Sequence, residues 1–144
     1  MWVNLDANWG ATTQRYFWLE KSPEGLGTSR ELFATAGGQL TFRAHRVDGL
    51  LHGTSDWVSN NYIAPKISNW IHMCVTHDGG FGPNSATLYV NGFQVIWDSI
   101  PTQPVGNWSL PKPSHSFYLL NNDDSSSNNE FVGKVDEVSL WNID

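Results

Sequence analysis

The residues best able to do chemistry in this 144-residue chain are its acids, its five histidines and its single cysteine. Retaining hydrolysis of a glycosidic bond needs two carboxylates about 5–5.5 Å apart, one acting as nucleophile and the other as acid. On a strand, residues i and i+2 share a face at about 6.5–7 Å, so acids two positions apart would be the strand-borne signature of that chemistry. No two of the 14 acidic residues have that separation. Asp136 and Glu137 are adjacent, and on a regular strand they would face opposite ways. A pair drawn from separate strands is the one arrangement left open to a hydrolase.

His45, His52, His72, His77 and His115 show neither His-x-His nor His-Glu-x-x-His spacing, so zinc has no sequence signature here. His72 follows a tryptophan in an apolar segment and reads as a packed, hydrogen-bonded core residue. Cys74 excludes an intramolecular disulfide, and its apolar neighbours make it read as a buried, inert thiol. The chain has no Gly-x-Ser-x-Gly elbow and no phosphate-cradling loop. The residue types point to recognition and not to an enzyme.

Recognition has better material. The chain holds eight Trp, seven Phe and four Tyr. Sugar rings present apolar C–H faces that stack on exposed aromatic rings, with Asn, Asp and Arg beside them for the hydroxyls. Trp57, Tyr62, Trp108 and Trp9 fall in loop-like segments rich in Ser, Asn and Gly, and they are the candidate ligand-binding platforms. For each, anchoring a loop by packing is the competing role. Trp18, Trp70, Trp97 and Trp141 fall in strand-like segments and are expected in the core or between sheets.

The elements that must position these rings read as strands. Gln39 to Arg46 alternates, with Leu40, Phe42 and Ala44 facing one way and Thr41, Arg43 and His45 the other, which predicts a strand with one buried face. It follows Arg30 to Thr35 through Ala-Gly-Gly, which predicts a hairpin. Ala86 to Asp98 places two β-rich runs around Asn91-Gly92, the pair that best supplies the two positive φ angles of a type I′ turn. Asn69 to Asp78 is apolar through Ile71, Met73 and Val75, with Trp70, His72, Cys74 and Thr76 opposite, and it predicts a central strand covered on both faces. Near the end, period 2 slips by one residue at Asp136-Glu137, which predicts a β-bulge. Asn121 to Asn129 contains no apolar residue and predicts an exposed loop. Roughly ten short strands with long loops predict an all-β, two-sheet antiparallel sandwich, with residues 1–144 forming one domain.

Composition narrows the partners. The net charge is −6, and the eight basic residues are spread from Arg15 to Lys134 with no basic stripe, which excludes nucleic acid as an expected ligand. No apolar stretch approaches the roughly 18 residues of a membrane span. The start, Met-Trp-Val-Asn, has neither the charged nor the apolar region of a signal peptide, so the expectation is either a cytoplasmic protein or an extracellular domain cut from a larger secreted one.

Several segments occur together in a recognisable order. They are Leu40-Thr41-Phe42, Trp70-Ile71-His72 with Val75-Thr76-His77-Asp78-Gly79, Leu88-Tyr89-Val90-Asn91-Gly92, and Phe131 through Asn142. In that order the chain resembles the laminin-G-like, concanavalin-A-like jelly-roll superfamily, particularly its bacterial-type modules. The resemblance implies a jelly roll, on which lectins, adhesion modules and glycosidases all occur. It also implies a calcium ion at a loop rim. Asn121 to Glu130 offers oxygens for it, and Asp123, Asp124 and Asp136 are the candidate metal ligands. Turn formation, with Asp136 anchoring a bulge, accounts for the same residues without a metal. Family members carry a strand before the one that Met1 to Leu5 resembles. Without it, a sheet edge lies open beside the Phe131 to Trp141 strand, inviting homo-oligomers by edge pairing.

These readings converge on a carbohydrate-binding module. A protein-binding adhesion module is the runner-up, and a glycoside hydrolase stands third. If the rim holds a structural calcium ion, excess chelator lowers the thermal unfolding midpoint; an unchanged midpoint counts against the ion.

Overall fold

The computed structural model describes residues 1–5, 15–21, 28–35, 38–48, 51–62, 68–78, 84–99, 116–119 and 133–141. These residues form eleven strands: β1 Trp2–Leu5, β2 Arg15–Lys21, β3 Thr28–Ala34, β4 Gln39–Asp48, β5 Leu51–Tyr62, β6 Trp70–His77, β7 Ala86–Val90, β8 Phe93–Gln94, β9 Trp97–Ser99, β10 Ser116–Leu119 and β11 Gly133–Asp136. They assemble into a five-stranded sheet in the order β11-β1-β6-β7-β8 and a six-stranded sheet in the order β10-β2-β3-β4-β5-β9. Every pairing is antiparallel. The all-β sandwich expected from the alternating pattern is the fold observed.

The core follows from strand phase. In the five-stranded sheet, Val3 and Leu5 of β1, Ile71 and Met73 of β6, and Ala86, Leu88 and Val90 of β7 point inward and are buried. The six-stranded sheet answers with Phe17, Leu32, Ala34, Leu40, Phe42, Ala44 and Trp57 in the same buried cluster. Phe42 sits at its centre: its ring centroid lies 6.1 Å from Trp18, 5.6 Å from Trp57 and 5.3 Å from His77. Strand register explains part of this, because Trp18, Leu32, Phe42 and Trp57 stand side by side across four neighbouring strands. His77 comes from the opposite sheet, so aromatic contact links the two layers.

Turn chemistry sets the connections. In the β3–β4 hairpin Gly38 takes φ 80°, and its N–H donates to the Thr35 carbonyl at 2.8 Å. Asn91 and Gly92 take φ 53° and 81°, as a type I′ turn requires. The chain then leaves β8 and crosses to the other sheet as β9. There the Trp97 indole N–H donates to the Ala86 carbonyl at 2.9 Å, a direct bond between sheets. Where β4 and β5 shift register beside Gln39, the Leu40 N–H finds the buried Ser59 hydroxyl at 3.0 Å. A backbone donor that the ladder would otherwise strand is thereby satisfied.

Three expectations need correction. β6 is central in its sheet, yet only one of its faces is covered: Trp70, Cys74 and Thr76 are exposed, so Cys74 is not a buried thiol. Conversely, the outward face of the six-stranded sheet is not a simple solvent face, since Phe33, Glu31 and Thr41 on it are at most 4% exposed. At Asp136-Glu137 the strand ends in place of bulging. The β1–β11 ladder runs from Leu5↔Gly133 to Trp2↔Asp136, and Glu137 then takes a left-handed φ of 48°. Asn121 to Asn129 lies outside the described residues.

Replacing Phe42 by alanine removes the ring that Trp18, Trp57 and His77 share. Urea unfolding is expected to show a loss of about 3–5 kcal/mol; a loss under about 1 kcal/mol would mean that the centre of the core lies elsewhere.

Candidate functional site

The outer face of the five-stranded sheet is built by the same alternation that builds the core. With Val3 and Ile71 facing in, Trp2 and Asn4 of β1 and Trp70 and His72 of β6 must face out. Register then assembles a small grid. Asp136, Trp2 and His72 form one row across β11, β1 and β6, and Lys134, Asn4 and Trp70 form the next. Trp2 and Trp70 are therefore diagonal neighbours, a relation that leaves backbones about 7–8 Å apart and within reach of aromatic side chains. Trp2 is 37% exposed and Trp70 46% exposed. The Trp2 ring meets His72 at 5.0 Å, tilted by 57°, which fixes the indole against the sheet. His72 is itself held to the β7–β8 turn: its N–H donates to Asn91 Oδ1, and its carbonyl accepts from the Asn91 N–H, both at 2.8 Å.

An open depression of about 400 Å³ lies on this face, lined by Trp2, Trp70, Asp136 and Glu137. Adjacent strand residues would send their carboxylates to opposite faces, but the left-handed φ of Glu137 breaks the alternation. The turn is fastened by the Glu137 N–H donating to Asp136 Oδ1 at 2.8 Å. Two carboxylates and two indoles thus converge on one shallow surface. Such a surface can stack an apolar ring face and accept hydrogen bonds from whatever projects from its edge.

A second polar group lies across the six-stranded sheet, where Leu19, Glu31, Arg43 and Asp56 align on β2, β3, β4 and β5. Arg43 Nε and Nη2 donate to the two oxygens of Asp56, each at 2.7 Å, in a bidentate pair. Arg43 Nη1 lies 3.7 Å from Glu31 Oε2, and its guanidinium sits 5.0 Å above the Phe33 ring. These acids do come from separate strands, but one guanidinium engages both, which suits a fastening across strands. At the sheet's other phase, Glu20 and Arg30 oppose each other on β2 and β3. Burial pushes the Arg30 guanidinium below its usual pKa, and the Glu20 charge pulls it back up.

The candidates read from sequence fare unevenly. Trp57 is not in a loop: it belongs to β5 and is fully buried against Phe42 and His77, so it offers no stacking face. Tyr62 is the last residue of β5, opposite Gln39. Trp9, Trp108, Asp123 and Asp124 lie outside the described residues. Asp136 is exposed at the end of β11 and accepts from the Glu137 N–H, with no bulge there for it to anchor. Among the described residues, no three His, Cys, Asp or Glu side chains gather as a metal site.

Of the strand tryptophans, Trp18 and Trp97 pack against the core as expected, whereas Trp70 does not and Trp141 is 83% exposed. His72 sits partly exposed on the outer face and not in the core. Strand phase carried the missed signal: fixing Val3 and Ile71 as inward turns Trp2 and Trp70 outward.

Replacing Arg43 by methionine leaves the buried Glu31 carboxylate without this cation. Stability is expected to fall by about 2–3 kcal/mol in denaturant titration, less than the roughly 3–5 kcal/mol of a fully buried pair because Arg43 and Asp56 keep some solvent. An unchanged stability would make the pair a surface ornament.

Comparison with known proteins adds one finding. A laminin-G family model, described as the concanavalin A-like lectin/glucanases superfamily, matches residues 1–143. Neither the curated proteins nor the solved structures yield a match. Together with the two-sheet antiparallel architecture, the match over nearly the whole length settles the family: the chain belongs to the concanavalin A-like lectin/glucanase superfamily, as a laminin-G-like domain.

Proposed function

We propose that this domain is a non-catalytic carbohydrate-recognition module whose binding surface is the outer face of the five-stranded sheet. The observation that carries the reading is the pair of part-exposed indoles, Trp2 and Trp70, on one sheet face beside Asp136 and Glu137. Indoles held out of the core on rigid strands lose little entropy when a flat ligand stacks on them. The family description, which names lectins and glucanases, supports a glycan as the ligand class. A shallow, open surface suits a chain or terminal sugar approached from one side.

A protein-binding reading draws on a different observation. Phe93 and Ile96, at the β8 edge, are 80% and 70% exposed, and Leu140 and Trp141 follow β11 with their side chains in solvent. Among the described strands β11 is also an outer one of its sheet, so a second copy could pair along it. Light scattering at micromolar concentration addresses that pairing, and a strict monomer counts against it.

A glycan panel followed by calorimetry tests the main reading. Trp2→Ala and Trp70→Ala are each expected to weaken glycan binding about tenfold or more, with no reducing ends released during incubation. Silence across a broad panel would favour the protein-binding alternative. Release of reducing ends would restore the hydrolase.

A further inference from the structure

The two carboxylates in the depression narrow the kind of sugar. Asp136 and Glu137 could have faced opposite sides of the sheet, but the left-handed turn at Glu137 brings both to the surface shared by Trp2 and Trp70. Carboxylates only accept hydrogen bonds when ionised, and an indole face presents the negative side of a quadrupole. Each described side chain lining the depression therefore has something to offer a positive partner: charge-assisted bonds from the acids, and cation–π attraction from the rings. Lys134, two residues before Asp136 on the same strand face, stands beside Asn4 and is not part of the lining. The His72 ring is engaged with Trp2. A wholly neutral sugar would use the rings and the acceptors but would leave the two negative charges unanswered.

We propose that the ligand of this surface carries protonated amines: a glycan containing glucosamine units that lack the N-acetyl group. The inference rests on the carbohydrate reading of the same site. The sugar ring lies against Trp70 or Trp2, and its ammonium group points to Asp136 and Glu137. No covalent step is involved.

Calorimetry with a glucosamine hexamer and its fully N-acetylated counterpart, at about pH 6 where a sugar amine is protonated, separates the two claims. The amine-bearing hexamer is expected to bind roughly tenfold more tightly, and raising the salt from about 20 to 300 mM is expected to erase most of that advantage. The Asp136→Asn, Glu137→Gln double variant is expected to bring the ratio of the two affinities close to one. The salt titration decides the matter even if that variant does not fold. Equal affinities, or a preference for the N-acetylated hexamer, overturn the amine proposal while leaving a carbohydrate site standing. Binding of neither hexamer, with neutral glycans also silent, overturns both.

Discussion

Everything in this domain depends on a slab of apolar side chains clamped between two antiparallel sheets, with Phe42 touching aromatic partners on its own sheet and His77 on the other. Burial of such rings is the dominant favourable term in a sandwich of this kind. It also dictates the direction of every neighbouring residue, because a strand that sends one side chain inward must send the next one outward. The outward direction of Trp2 and Trp70 is thus a consequence of the core: Val3 and Ile71 point inward, so the residues beside them point to the other side of the sheet, where both indoles are part-exposed.

The two outer faces use that constraint differently. On the six-stranded sheet, Leu19, Phe33, Glu31 and Thr41 are nearly inaccessible, and Arg43 spans Glu31 and Asp56 as a fastening across three strands. On the five-stranded sheet Trp2, Trp70, Cys74 and Thr76 stay open, and the Trp2 ring lies against His72. An exposed aromatic pair has to be weighed against the solubility cost of showing apolar surface to water. Its placement next to two convergent carboxylates is what the proposed recognition surface rests on.

Much of the architecture was legible in the residues. The alternation of Leu40, Phe42 and Ala44, the Asn91-Gly92 turn and the hairpin after Thr35 all express local physics that tertiary context reinforced. The site was less legible. Trp57 stands among Ser, Asp and Asn, a neighbourhood that resembles a loop, yet β5 runs through it and buries it. Trp70 stands in an apolar strand, a neighbourhood that resembles a core, yet it lies on the open face. Composition around a residue reports on its segment, whereas exposure depends on which sheet neighbours lie opposite and on what covers the sheet. The convergence of Asp136 and Glu137 needed one backbone angle, the φ of Glu137, that no spacing rule reveals.

On the proposed function the open sheet face, and not the buried aromatic layer, meets the ligand. Indole N–H resonances report on each tryptophan separately, so a two-dimensional ¹⁵N–¹H spectrum recorded during titration with a bound glycan addresses the claim directly. The Trp2 and Trp70 indole signals are expected to move with ligand concentration while those of Trp57 and Trp97 stay in place. Stationary Trp2 and Trp70 signals during saturable binding would contradict that claim and send the search to another surface.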